Sequence, residues 1–184
     1  KILTIYSSGK YRLSNFDLST HFDDDMIYIE KWNPEHPISA VYFDGAKEMH
    51  YCKRFLCEVT TDKKVLFISE TEGSTLDMVS TGYKPQARIV YNKLLKATKN
   101  LPDTIINLAD FIDVKGMKSQ GNQMTKNKVK EIIVNIPEGG EEAWPEPENS
   151  IVTEIEAVED EEATTVEWDV KNEEDNDSDQ AKLF

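Results

Sequence analysis

The chain changes character at Pro137. Residues 1–136 carry 19 Lys and Arg against 17 Asp and Glu, a net charge of +2, while residues 137–184 carry 2 against 18, a net of −16. The overall −14 and the acidic pI therefore describe the last quarter of the chain and say little about the rest. A stretch so charged and so poor in apolar clusters cannot bury enough surface to offset the entropy of ordering it. The sequence predicts a folded domain over 1–136 and a disordered acidic tail over 137–184. A body of that length is enough for one ordinary hydrophobic core. Because the first residue is Lys1 and strand-like sequence begins at Ile2, the chain reads as a piece of a longer protein.

Most of the body has the pattern of short strands and turns. Ile2–Tyr6, then Ser7-Ser8-Gly9-Lys10, then Tyr11–Leu13 predicts a hairpin. Ile38–Phe43 and Met49–Val59 flank Asp44-Gly45, a strong short-range hairpin signal. Val65–Ile68 is apolar on both faces and reads as an interior strand, and further strands are predicted over Met26–Ile29, Asp77–Ser80, Ala87–Tyr91 and Val129–Ile136. Helix is expected only over Asn92–Asn100 and, for one turn, Asn107–Ile112. Many short strands with almost no helix define an all-β fold, with strand openings that suggest a degenerate blade-like repeat.

Familiar catalytic and metal signatures are missing. His21, His36 and His50 are isolated, no Gly-rich phosphate loop occurs, and Asp23-Asp24-Asp25 would alternate faces on an extended chain. Cys52 and Cys57, five residues apart on one strand, point to opposite faces and are expected to be reduced thiols without zinc. No segment has the apolar length of a membrane helix, and no signal peptide opens the chain, so a cytoplasmic location with no membrane contact is expected.

Cationic residues supply the positive signal. Lys115, Lys118, Lys126, Lys128 and Lys130 fall in a carboxylate-free segment punctuated by Gly116 and Gly121. If a strand begins at Lys126, its three alternating lysines share a face at a spacing of about 6.7 Å, roughly twice the 3.4 Å rise per phosphate of one DNA strand. Lys93, Lys96 and Lys99 form a second run and Lys53-Arg54 a third spot, the last two on opposite strand faces. These residues are the candidate DNA contacts; no residue is assigned a catalytic or metal role. The competing reading is an all-β protein-interaction module whose acidic tail recruits a basic partner. In the tail, Pro137–Pro147 reads as a linker. Beyond it, Ile151, Val152, Ile155, Val158, Val166, Trp168 and Val170 are interleaved with carboxylates, and Lys182-Leu183-Phe184 could serve as a small apolar anchor.

Two segments resemble a known family. Val41-Tyr42-Phe43-Asp44-Gly45 with Tyr51-Cys52-Lys53-Arg54-Phe55, and Phe111-Ile112-Asp113-Val114-Lys115-Gly116-Met117-Lys118-Ser119-Gln120-Gly121-Asn122, are similar to the C-terminal region of bacterial type II topoisomerase A subunits of Bacteroidetes-like bacteria. The resemblance covers about residues 1–135. It implies the last blades of a β-pinwheel that binds and bends duplex DNA, in a nucleoid-associated complex of an A-subunit dimer with a B subunit. ATP and Mg would belong to the B subunit and no cofactor to this segment. The catalytic tyrosine of the family would lie upstream. The Gln-Arg-Arg-Gly-Gly-Lys-Gly box of gyrase A subunits does not occur here, which favours a topoisomerase IV-like role. The acidic tail would compete with DNA for the basic surface.

Overall fold

A computed structural model describes residues 1–17, 19–59 and 63–146. Three antiparallel sheets make up the compact unit, which runs from Lys1 to Pro145. The first is built from β1 (Ile2–Tyr6), β2 (Lys10–Ser14), β3 (Met26–Lys31) and a distant β6 (Val65–Leu66), in the order β3-β1-β2-β6. The second contains β4 (Ile38–Asp44), β5 (Met49–Phe55), β7 (Thr75–Ser80) and β10 (Asn122–Gln123), in the order β10-β5-β4-β7. The third holds β8 (Gln86–Tyr91), β9 (Thr104–Asn107) and β11 (Val129–Asn135), in the order β11-β8-β9. A single helical turn, α1 (Leu108–Phe111), follows β9, with the Asn107 side chain capping it through Ala109 N–H.

Each sheet repeats one plan. A hairpin supplies the two middle strands and a third strand flanks the first. In the first two sheets the outer position beside the second strand is filled by chain borrowed from the next unit, while the third sheet has three strands among the described residues. Thus β6 lies in sequence between β5 and β7 yet pairs with β2, and β10 lies between β9 and β11 yet pairs with β5. The degenerate repeat expected from the sequence is this blade, strand-exchanged in the first two sheets and three-stranded in the third, and the three form a partial β-pinwheel. The Asp44-Gly45 hairpin forms as predicted, with Asp44 opposite Met49 and Ile38 opposite Phe55.

The core lies in two layers. Leu3, Ile5, Tyr11 and Leu13 of the first sheet pack on Ile38, Ala40 and Phe55 of the second. On the other side, Val41, Cys52 and Met78 pack on Ala87, Ile89 and Ile132 of the third. Alternation along β4 sends Ala40 one way and Val41 the other. The middle sheet is thereby covered on both faces, and each fully buried aliphatic or aromatic side chain contributes about 1.5–3 kcal/mol.

Two expectations are corrected. Val65–Ile68 is not an interior strand: β6 is the outer edge of the first sheet. It is apolar on both sides because Phe67 wedges between two blades, 5.2 Å from the Phe55 ring and 6.4 Å from Tyr11. Asn92–Asn100 forms no helix but successive tight turns, Leu95 N–H to Asn92 O, Thr98 N–H to Leu95 O and Leu101 N–H to Thr98 O. The Asn92 side chain accepts from Leu94 N–H, a local bond that competes with helix. Strand β11 begins at Val129, as the predicted strand over Val129–Ile136 has it, so Lys126 and Lys128 precede it, and its register is irregular between Val129 and Glu131.

Packing also continues past the charge break. A turn closes from Gly140 N–H to Pro137 O, Glu142 pairs with Lys84 at 3.0 Å, and the Trp144 indole stacks on His36 at 4.1 Å. The tail features at 151–184 lie outside the described residues. Cys52 and Cys57 are both free, and no helix among the described residues is long and apolar enough to cross a membrane.

Candidate nucleic-acid interface

Strand exchange concentrates lysines from different parts of the sequence. The β4–β5 turn carries Lys47, positioned because Asp44 Oδ1 accepts from Ala46 N–H and Lys47 N–H. Lys63 and Lys64 precede the borrowed strand β6, and Lys118 lies in the turn closed by Ser119 N–H to Gly116 O before borrowed strand β10. All four line one groove of about 740 Å³, with Lys53 at its wall and Asp44 and Glu70 as its carboxylates. Lys47 Nζ donates to Gln120 Oε1 at 2.6 Å and lies 5.5 Å from the Tyr51 ring centroid. Lys64 is tied to Asp23 at 2.9 Å, an ion pair that holds the Asp23 carboxyl below its usual range. Lys63 and Lys118 are exposed and carry no ion pair with another described residue.

A second group adjoins the first. Glu48, next to Lys47, pairs with Lys128 at 3.7 Å, and Lys128 O accepts from Asn92 N–H, which brings the Lys93–Lys99 loop alongside. Lys96, Lys99, Lys115 and Lys126 are exposed and have no ion pair among the described residues. Lys93 is engaged by Leu101 O and by Asp103 at 3.6 Å, and Lys130 by neighbouring Glu131 at 3.6 Å. The ladder expected at 126, 128 and 130 does not form, because only Lys130 belongs to the strand.

Lys53 and Arg54 are almost wholly buried. Their side chains do leave β5 on opposite faces, but both faces of that sheet are covered, leaving the residues 3% and 8% exposed. Lys53 Nζ donates to Phe67 O at 2.6 Å and Met117 O at 2.5 Å, joining the two borrowed segments, and burial pushes its pKa down to about 8. Arg54 donates from Nε to Ser39 Oγ at 3.1 Å and from Nη1 to Ala109 O and Ile112 O. Neither can reach a phosphate without unfolding a blade. Sequence reasoning missed Lys47, Lys63 and Lys64. Lys47 had a signal, its place in the Asp-Gly turn; the other two acquire significance only when β6 crosses to its neighbour.

Three antiparallel blades, two of them completed by a strand from the following unit, define a propeller-like domain of the pinwheel class. A family model described as topoisomerase C-terminal domain, Bacteroidota, matches residues 1–136, and the chain belongs to that family. Neither the curated proteins nor the solved structures contain a match to it.

Proposed function

We propose that this domain is the DNA-holding, non-catalytic C-terminal module of a topoisomerase A subunit, gripping duplex DNA by phosphate contacts. The observation that carries the reading is the groove where Lys47, Lys63, Lys64 and Lys118 converge from three separate chain segments. The exposed lysines Lys96, Lys99, Lys115, Lys126 and Lys128 are secondary contacts in this reading. Phosphate contacts position a duplex without reading bases, which suits an enzyme that acts at many sites. Bending a 20–30 bp segment costs roughly 1–6 kcal/mol, an amount several such contacts can offset.

The gyrase box missing from the sequence supports a topoisomerase IV-like role in the cytoplasm. Within this reading the A-subunit dimer and a B subunit are the partners. ATP and Mg serve the B subunit, with no step of their chemistry assigned to residues here. The acidic residues after the domain compete with DNA for the same lysines.

The test is duplex affinity of the full chain across a salt series, for wild type and for Lys63→Glu with Lys118→Glu. Each phosphate contact adds about 0.9 to the slope of log affinity against log salt. The double variant should bind all duplexes more weakly and lose close to 2 from the slope. A loss restricted to one sequence, or none, contradicts the phosphate grip.

A further inference from the structure

The end of the domain opposite the lysine turns has different chemistry. Each hairpin turn follows the first strand of its blade. The third strands β3, β7 and β11 run antiparallel to those first strands or to their equivalents, so their final residues lie at the far end, as Ser80 opposite Ser39 illustrates. There the ends of the three strands border one cleft of about 890 Å³. Its walls are aromatic: Tyr28, Trp32, His36, Tyr83 and Trp144. Trp144 stacks on His36, meets the Tyr83 ring edge-on at 5.1 Å, and is held by its indole N–H to Thr81 O at 3.0 Å. Chain from beyond the charge break thus completes the cleft.

Carboxylates dominate its charge. Glu30, Glu141 and Glu142 line it, against Lys31 as the single lining cation. Glu142 is already paired with Lys84. Glu30 accepts from the Tyr28 hydroxyl at 3.0 Å, a neutral partner that leaves its charge uncompensated. Glu141 has no ion pair among the described residues. The Trp32 indole N–H is buried and finds no acceptor within the domain. Electron-rich ring faces beside unpaired carboxylates attract an organic cation, and arginine uses both at once through its planar guanidinium. The volume accommodates several residues of a peptide.

We propose that this cleft is a docking site for a basic, arginine-bearing peptide segment of a protein partner, separate from the DNA groove. It does not rest on the DNA reading, since no groove lysine lines it. Three tryptophans occur in the chain, and Trp32 and Trp144 both line the cleft. The probe is a short amidated peptide with two arginines, compared with a glutamine counterpart, titrated into the full chain carrying Trp168→Phe while tryptophan emission is followed. The arginine peptide should give a saturable change that the glutamine peptide does not. Glu30→Gln with Glu141→Gln, which keeps side-chain shape, should weaken it about tenfold. Trp144→Ala, with its sheet content checked by circular dichroism, should weaken it comparably. Unchanged affinity in the double glutamine variant would assign the peptide to the acidic residues outside the cleft and overturn the proposal. So would no emission change at millimolar peptide.

Discussion

Lys53 shows how far a residue's role depends on what covers it. On sequence it stands in a basic pair and invites a phosphate. In the fold it is a buried ammonium whose hydrogen bonds bind Phe67 O and Met117 O, so it organises the groove without facing a ligand. Its pKa of about 8 lies below the unfolded value, so between about pH 8 and 10.4 the unfolded chain holds a proton that the folded one has released. This group alone makes stability rise with pH through that window. Opposing it, burial raises Tyr11, Tyr42, Cys52 and Cys57 to about 12. Those four lose protons first in the unfolded chain, and their contribution falls as pH rises above about 8.5. Four groups against one should lower the urea midpoint above pH 9. In Lys53→Met, where the opposing gain is gone, the decline should be steeper. Parallel curves for the two proteins would show that Lys53 does not titrate in the fold as its burial requires.

At the scale of elements, the borrowed strands decide the architecture. Both are only two residues long and have weak signals of their own, yet each closes the outer edge of a neighbouring sheet and limits open backbone. Gly121 is the tightest point of one crossing. Its φ is +89°, and a Cβ there would fall 2.0 Å from Cys52 O. Gly121→Ala should therefore destabilise the domain by about 2 kcal/mol or more, read as a shift of the urea midpoint. Gly116 has open space around it, so Gly116→Ala should change stability little and serves as the paired control. Hairpins were legible because turn chemistry is local: Asp44-Gly45 and Ser7-Ser8-Gly9 announce themselves. The crossing of β6 was not legible, since Val65–Ile68 has the apolar pattern of any buried strand and its partner β2 is over fifty residues away. The Asn92–Asn100 turns escaped for the converse reason, an Asn92 side chain supplying a local bond that helix-forming neighbours could not outweigh.

At the scale of the whole domain, two surfaces differ in charge. Lysines outnumber carboxylates in the groove, and aromatic rings with carboxylates line the cleft where the third strands finish. A near-neutral net charge over 1–136 hides this separation. Because Trp144 fastens the first acidic residues at the carboxylate end, Trp144→Ala should change the salt dependence of DNA binding if the acidic residues compete for the groove. The expected result is weaker DNA binding at low salt as the anchored stretch is freed to reach the lysines, with the difference vanishing at high salt as screening sets in. Equal affinity at every salt concentration would separate the latch from DNA competition.

Composition and local pattern were sufficient for the all-β class, the hairpins, the charge break and the family, because turn residues, two-residue alternation and net charge are properties of neighbours in the chain. The structure alone decided which lysines meet. Lys47, Lys63, Lys64 and Lys118 share a groove only because chain from the second and third units crosses to the preceding blades. Lys53 and Arg54 disappear only because both faces of the middle sheet are packed. Burial and convergence come from contacts between residues far apart in sequence, and no local pattern encodes them.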